Sequence, residues 1–113
     1  MIKLDLKRED HWLDLGYGVR VKVRPASTAI VMAARVSVLK EESDDAGSRS
    51  AALIKKLGVL AIMEWEGVGD ENDNPIEVTE TGVEALMDLW PVADAFERLY
   101  LSPTLLLEAE KNV

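Results

Sequence analysis

A change of hydrophobic period at Pro25 constrains the fold of this chain more than any other feature. Residues 19–24 read Val-Arg-Val-Lys-Val-Arg, and residues 2–7 read Ile-Lys-Leu-Asp-Leu-Lys. This alternation with a period of two is typical of strands that lay one face on a core. A further short strand is predicted over residues 11–15, joined to the next by a tight Gly-Tyr-Gly turn. Because proline cannot donate to a sheet ladder, Pro25 is expected to close an antiparallel meander over residues 2–24.

The spacing becomes helical after the proline. Ser27 or Thr28 is the expected N-cap, and residues 29–39 are apolar except for Arg35 and Ser37. A helix that is apolar around its whole circumference is either buried centrally or covered by a partner. Since one small sheet cannot cover so much apolar surface, we expect self-association into a homo-oligomer.

A second helix is predicted from Ser48 to Trp65. Gly58 lies in its interior, where glycine costs about 1 kcal/mol relative to alanine. This cost indicates close packing against a neighbouring element.

The third helix has the clearest amphipathic pattern. Its N-cap is Thr79 or Thr81, and Thr81 has capping-box spacing with Glu84. Apolar residues follow at i, i+3, i+4 and i+7, which predicts one buried face. These are Val83, Leu86, Met87 and Trp90.

Two further helices are predicted toward the C-terminus. Pro91 ends the third helix and can serve as the first residue of the next. That helix carries an apolar stripe of Val92, Phe96, Leu99 and Tyr100. A last short helix is predicted over residues 104–111.

These elements predict the α+β class. A small N-terminal antiparallel β-meander is expected to pack on a mainly α-helical remainder over residues 27–111. A chain of 113 residues supports one hydrophobic core, so residues 1–113 are predicted to form a single domain.

Charge and composition exclude several classes of protein. The formal net charge of −8 disfavours nucleic-acid binding, which depends on clustered Lys and Arg that neutralise phosphates. The nearest basic strip, Arg20, Lys22 and Arg24, fits a solvated strand face or a phosphate-contacting strip.

No cysteine is present, which excludes disulfides and thiolate sites. The longest nearly apolar run is far below the roughly 20 residues of a membrane span. No signal peptide is visible, and we expect a cytoplasmic protein.

The acidic loop after Trp65 resembles a calcium site at first. Asp70, Asn72 and Asn74 alternate like the first ligands of an EF-hand loop. The position that needs glycine is Pro75, however, and the one that needs a bidentate glutamate is Thr81. A turn whose Asx side chains bond their own backbone explains the loop without metal.

The sequence evidence for catalytic residues is equally weak. Glu64 and Glu66 flank Trp65, but on a helix residues two apart point to different sides. The single His11 has no obvious partner, and no serine has a histidine close in sequence to activate it. We therefore predict a protein that is not an enzyme and holds no metal or cofactor.

The aromatic residues are the remaining candidates for function. Trp90 and Phe96 each lie on an apolar stripe, where a core position is expected. Trp65 lies at a predicted helix end between two carboxylates, as interface anchors often do. The candidate partner-binding residues are Trp65, Val68, Trp90 and Tyr100.

Several of these segments together resemble the tail assembly chaperones of phages and prophages. The resemblance covers most of residues 11–111, and its motifs are moderately specific. It rests on Gly18–Pro25 before an alanine-rich helix, Trp65–Val68, Asn74-Pro75, Val78-Thr79, Leu89-Trp90-Pro91, and Phe96 with Tyr100.

The resemblance implies a protein without catalytic residues that acts in the cytoplasm of a bacterial host. Such proteins bind the helical tail tape-measure protein, keep it soluble and help to recruit tail tube protein. A structural head–tail connector or tail completion protein is the first alternative. An acidic regulator that occupies a basic groove is the second, although here the carboxylates cluster in linkers and loops.

Overall fold

The fold is α+β, as predicted. The computed structural model describes residue 1, residue 4, residues 6–40 and residues 45–101. Its three strands form one antiparallel sheet in the order β1-β2-β3. In chain order the elements are β1 (His11–Gly16), β2 (Val19–Val23), α1 (Thr28–Leu39), α2 (Ala46–Ala61), β3 (Ile62–Glu66), α3 (Glu80–Met87), α4 (Trp90–Phe96) and a π-helical turn (Glu97–Leu101).

The β1–β2 hairpin confirms the prediction from the alternating residues. His11 pairs with Val23, and the ladder continues to Gly16 and Val19 beside the turn. One face of the hairpin is buried, and the other carries the charged residues. The sheet therefore lays one apolar face on the core, as the period of two requires.

The third strand is not the predicted one. Leu4 and Leu6 are exposed and lie in no strand, and residues 2, 3 and 5 lie outside the described part of the chain. The free edge of β2 is occupied instead by β3. The helix predicted to reach Trp65 ends at Ala61, and β3 follows it with no residue between them.

Cross-strand pairing explains why β3 is a strand. Glu64 lies opposite Lys22 and Glu66 opposite Arg20, and both pairs form ion pairs at 3.3 and 3.0 Å. Opposite charges on facing strands stabilise pairing. A register shift near Val23 accommodates the passage from helix to strand.

The helix starts were largely predictable. The Ser27 hydroxyl accepts a hydrogen bond from the N–H of Ile30 at 3.2 Å, and that of Thr79 accepts one from Gly82 at 3.0 Å. Both N-caps are confirmed, whereas the proposed capping box at Thr81 is not used. Pro91 lies in the first turn of α4 as its second residue, one position later than predicted, and α3 ends at Met87 instead of at Pro91.

Gly58 allows α2 and α3 to approach closely, which confirms the prediction. A Cβ at this position would lie 3.0 Å from Val83 Cγ1 and 3.1 Å from Met87 Cγ. Glycine removes this conflict, so its cost within the helix is offset by packing.

The core joins the buried face of the sheet to α2, α3, α4 and the π-helical turn. Phe96 is 1% exposed, as predicted. The core position expected for Trp90 is wrong, because α3 ends at Met87 and the i+7 spacing no longer applies beyond it. Within the described part of the chain, the buried hydrophobic residues are Leu13, Leu15, Val19, Val21, Val23, Ala34, Leu57, Ala61, Ile62, Val83, Leu86, Met87, Val92, Ala93, Ala95, Phe96 and Tyr100.

The π-helical turn rearranges the stripe predicted on the last described helix. Tyr100 stacks on Phe96, with ring centroids 5.0 Å apart and planes 18° from parallel. Leu99, within the same π-helical turn, is exposed instead of buried. The helix predicted over residues 104–111 lies outside the described residues.

Candidate functional site

An open groove of about 590 Å³ lies between the β1–β2 hairpin and α4. The hairpin supplies one wall, and α4 with the π-helical turn supplies the other. Of the four candidate partner-binding residues, only Trp90 lines this groove. Its lining comprises Asp14, Leu15, Gly16, Tyr17, Trp90, Pro91, Asp94, Ala95, Arg98 and Leu99.

The hairpin presents Tyr17 at its tip. Tyr17 has φ of 57° and Gly18 has φ of 75°, so both central turn residues are left-handed, as in a type I′ turn. A bulky side chain at positive φ is unusual and costs backbone free energy. Tyr17 is nevertheless 77% exposed, so core packing does not explain why an aromatic residue stands here.

The opposite wall combines an exposed tryptophan with an unusual helical geometry. Trp90 is 73% exposed, and Leu99, on the π-helical turn, lies in the same groove. Such turns occur often at functional sites. The guanidinium of Arg98 pairs with the carboxylate of Asp94 at 3.3 Å, which leaves this wall close to neutral.

Asp14 is the other carboxylate of the groove. Its Oδ1 accepts a hydrogen bond from the N–H of Gly16 at 2.9 Å. Within the described residues it has no ion pair with a cation, because Arg20, which lies opposite it in the ladder, pairs with Glu66 at 3.0 Å. The groove thus carries one uncompensated negative charge beside its aromatic side chains.

A second apolar surface lies on the outer side of α1. Of the twelve residues of this helix only Ala34 is buried. Met32, Val36 and Leu39 are each more than half exposed, and Leu39 reaches 78%. Their spacing of four and three places them on one side of the helix. The expectation that α1 leaves apolar surface uncovered is confirmed.

Trp65 has a structural role at the base of the acidic loop. Its indole Nε1 donates to the carbonyl of Ile76 at 2.8 Å. The ring also lies over Gly82, where a Cβ would come within 2.9 Å of Trp65 Cη2. Val68 is likewise half-buried, and its carbonyl accepts from the N–H of Ile76 at 3.2 Å. Both candidates hold the loop against the body of the protein.

The acidic loop is organised by its own backbone, as expected for an Asx-rich turn. Asp70 Oδ1 accepts from the N–H groups of Asn72 and Asn74 at 2.8 and 3.0 Å. The backbone hydrogen bond from Asn74, and to a smaller extent that from Asn72, lowers the pKa of the Asp70 carboxyl below its ordinary value. Among the described residues, no group of three His, Asp or Glu side chains is placed to hold a metal ion.

The basic strip on β2 is engaged within the protein. Arg20 and Lys22 form the ion pairs with β3, and Arg24 donates to the carbonyl of Leu60 at 2.7 Å. Arg20 also lies over the Trp12 ring, 4.9 Å from its centroid. Glu64 and Glu66 were expected to point to different sides of a helix. That is wrong, because on a strand residues two apart share a face.

Tyr100, the fourth candidate residue, lies in the core. It is 4% exposed, so it offers a partner almost no surface in this conformation. Burial raises the pKa of its hydroxyl above the ordinary value of 10.0, and Arg8 and Arg24 oppose the shift. Within the described residues the hydroxyl has no hydrogen-bond partner.

Sequence reasoning missed Tyr17 and Leu99 as groove residues. An aromatic residue between two glycines was a usable signal for Tyr17, since glycine or asparagine is the usual choice in such a turn. No comparable signal exists for Leu99, which the apolar stripe had placed in the core.

In the described part of the chain, no helix is both long enough and apolar enough to cross a membrane. Comparison with known proteins gives no relative. No family model matches the chain, and neither a curated protein nor a solved structure does.

Proposed function

We propose that this protein is a non-enzymatic assembly chaperone for phage or prophage tails. It would bind the tape-measure and tail tube proteins through apolar surface and release them unchanged. The observation that carries the proposal is the pair of uncovered apolar surfaces, the outer side of α1 and the groove, on a chain with a net charge of −8.

Both properties suit a chaperone. Contiguous exposed apolar surface is a liability for a protein that acts alone, and it commonly marks a site of protein association. Strong net negative charge keeps such a molecule dispersed. The resemblance of the segments around Trp65, Trp90 and Phe96 to tail assembly chaperones supplies the identity of the client.

Among the proposed contact residues, Trp90 has the most exposed side chain, which makes it the strongest candidate for contact with a client. It is large and exposed at the start of α4, and tryptophan is enriched among the residues that anchor interfaces. Trp65 and Val68 remain proposed contacts at the loop, through the part of each side chain that is not buried.

Co-expression with a fragment of the tape-measure protein from the same genome tests the proposal. The fragment should move from the insoluble to the soluble fraction only when this chain is present. The variant Trp90→Asp should lose much of this effect, whereas Glu84→Gln, an exposed change on α3, should retain it.

Two results would contradict the proposal. One is a fragment that stays insoluble, with no complex recovered by affinity capture. The other is this protein found as a stoichiometric component of purified particles, which would favour the connector or completion protein.

A further inference from the structure

We propose that copies of this chain assemble head to tail, with the outer side of α1 of one copy seated in the groove of the next. The inference goes beyond the proposed function and does not require it. It uses the same two surfaces, so a client protein would displace the neighbouring copy when it binds. The two surfaces are formed by different elements of the same molecule, since α1 packs mainly on α2 while the groove belongs to β1, α4 and the π-helical turn.

The apolar parts of the two surfaces are complementary in kind. From Met32 to Leu39 the stripe on α1 spans about 10 Å at 1.5 Å per residue. It projects three aliphatic side chains from a convex helix. The groove is concave, with room for more than one side chain, and it is bordered by Tyr17 and Trp90. Aliphatic side chains inserted against exposed aromatic rings are a common form of interface core.

The charges are also complementary. Helix α1 contains no Asp or Glu, and its Arg35, next to Val36, forms no ion pair within the described residues. Asp14 is the uncompensated carboxylate of the groove. Docking of the stripe brings Arg35 toward Asp14, neither of which has an ion pair within the described residues, and this attraction favours the proposed register and orientation.

The same charge argues against the symmetric alternative. If two α1 helices paired across a two-fold axis, Arg35 of each copy would lie near the middle of a short interface. Like charges would then face each other across it. A contact between α1 and the groove avoids this repulsion. It is heterologous, so the copies either close into a ring or leave a free stripe at one end and a free groove at the other.

Analytical ultracentrifugation of the pure chain and two variants tests the inference. Leu39→Asp disables the stripe, and Trp90→Asp disables the groove. Both residues are largely exposed, so circular dichroism should show native secondary structure for each variant. The wild-type chain should sediment as species heavier than the 12.5 kDa monomer. If the assembly is open, its mean mass should rise with protein concentration over about a hundredfold range; if it closes into a ring, one constant mass should be observed.

The decisive sample is an equal mixture of the two variants. Each variant alone should be a monomer, because every contact would involve one damaged surface. In the mixture the intact groove of Leu39→Asp meets the intact stripe of Trp90→Asp, and a heterodimer of two chains should form. The variant Arg35→Asp should weaken wild-type assembly about tenfold, as expected for loss of a favourable charge pair.

Three outcomes would overturn the inference. They are a wild-type chain that is monomeric at every concentration, an oligomer unaffected by either variant, and a mixture that remains monomeric like its components. If either aspartate variant misfolds, Val36→Asp and Leu99→Asp repeat the design at neighbouring positions. The sample contains no tail protein, so its result and that of the co-expression experiment can fail separately.

Discussion

Helices α1 and α4 are both rich in apolar residues, but only one of them is covered. Helix α4 has seven residues and buries four, whereas α1 has twelve and buries one. The difference lies in what each helix packs against, since α4 contacts β1 directly and α1 contacts mainly α2. Apolar composition therefore indicates that a helix needs cover. Of these two helices, only the one that packs on the sheet is covered within the monomer.

The variant Phe96→Ala should give the largest effect. Phe96 lies at the centre of the covered region and is 1% exposed. Truncation of a buried phenylalanine removes transfer free energy and leaves a cavity, at a cost of about 3–5 kcal/mol in the free energy of unfolding. Urea denaturation measures it. A loss below about 1 kcal/mol would show that α4 is not the better-packed helix.

The next effect is expected just after β3, where the chain passes close to the turn of the β1–β2 hairpin. Gly67 has φ of 80°, and a Cβ there would overlap the carbonyl oxygen of Gly18. Gly67→Ala should cost about 3 kcal/mol, from left-handed backbone strain and overpacking together. The matched control is Gly47→Ala in the first turn of α2, where the nearest atom is 3.7 Å away. Equal thermal stability of the two variants would contradict the assignment.

Burial of Tyr100 in the covered region should make the free energy of unfolding depend on pH at alkaline values. Because burial raises the pKa of its hydroxyl, the folded protein favours the neutral form. This contribution to stability is complete below the unfolded pKa near 10 and is lost as the pH rises through the higher folded pKa.

The variant Tyr100→Phe should therefore lose less stability than the wild type as the pH rises above about 10. At neutral pH the two should agree within about 1 kcal/mol. Tyr17→Phe is the control, since Tyr17 is exposed. Parallel stability curves for wild type and Tyr100→Phe in this pH range would contradict the burial.

The smallest effect is expected on α1. Leu39→Ser replaces a side chain that is mostly in water, so the free energy of unfolding of the monomer should change by no more than about 0.5 kcal/mol. Thermal unfolding at low protein concentration measures it. A loss of several degrees would show that α1 is covered after all, and the comparison between the two helices would fail.

Local patterns made much of the fold predictable. The alternation on β2, the hydroxyl caps at Ser27 and Thr79, and the close packing at Gly58 are each determined by a few neighbouring residues. Strand β3 could not be predicted in this way, because its helical and extended forms differ mainly in whether β2 lies alongside. Its apolar run was continuous with α2, and the ion pairs that favour pairing come from residues about 40 positions away.

The candidate site was harder to predict than the fold. The prediction placed Trp90 on the apolar stripe of α3, which assumes that this helix continues unbroken to residue 90. Because α3 ends at Met87, the side chain of Trp90 lines the groove instead. Tyr100 was offered as a surface contact, although its stacking on Phe96 encloses it. The first difference comes from a helix boundary, which depends on tertiary packing more than on local sequence. The second agrees with the apolar stripe on which the sequence had placed Tyr100 beside Phe96.

The direct junction of α2 with β3 has a mechanical consequence. With Ala61 in the helix and Ile62 in the strand, no hinge residue separates them, and the N–H of Ile62 still bonds the carbonyl of Gly58. Helix α2 cannot swing without pulling on the ladder between β2 and β3. Because α1 packs on α2, a force applied to α1 would be transmitted through α2 and β3 to β2, the middle strand of the sheet.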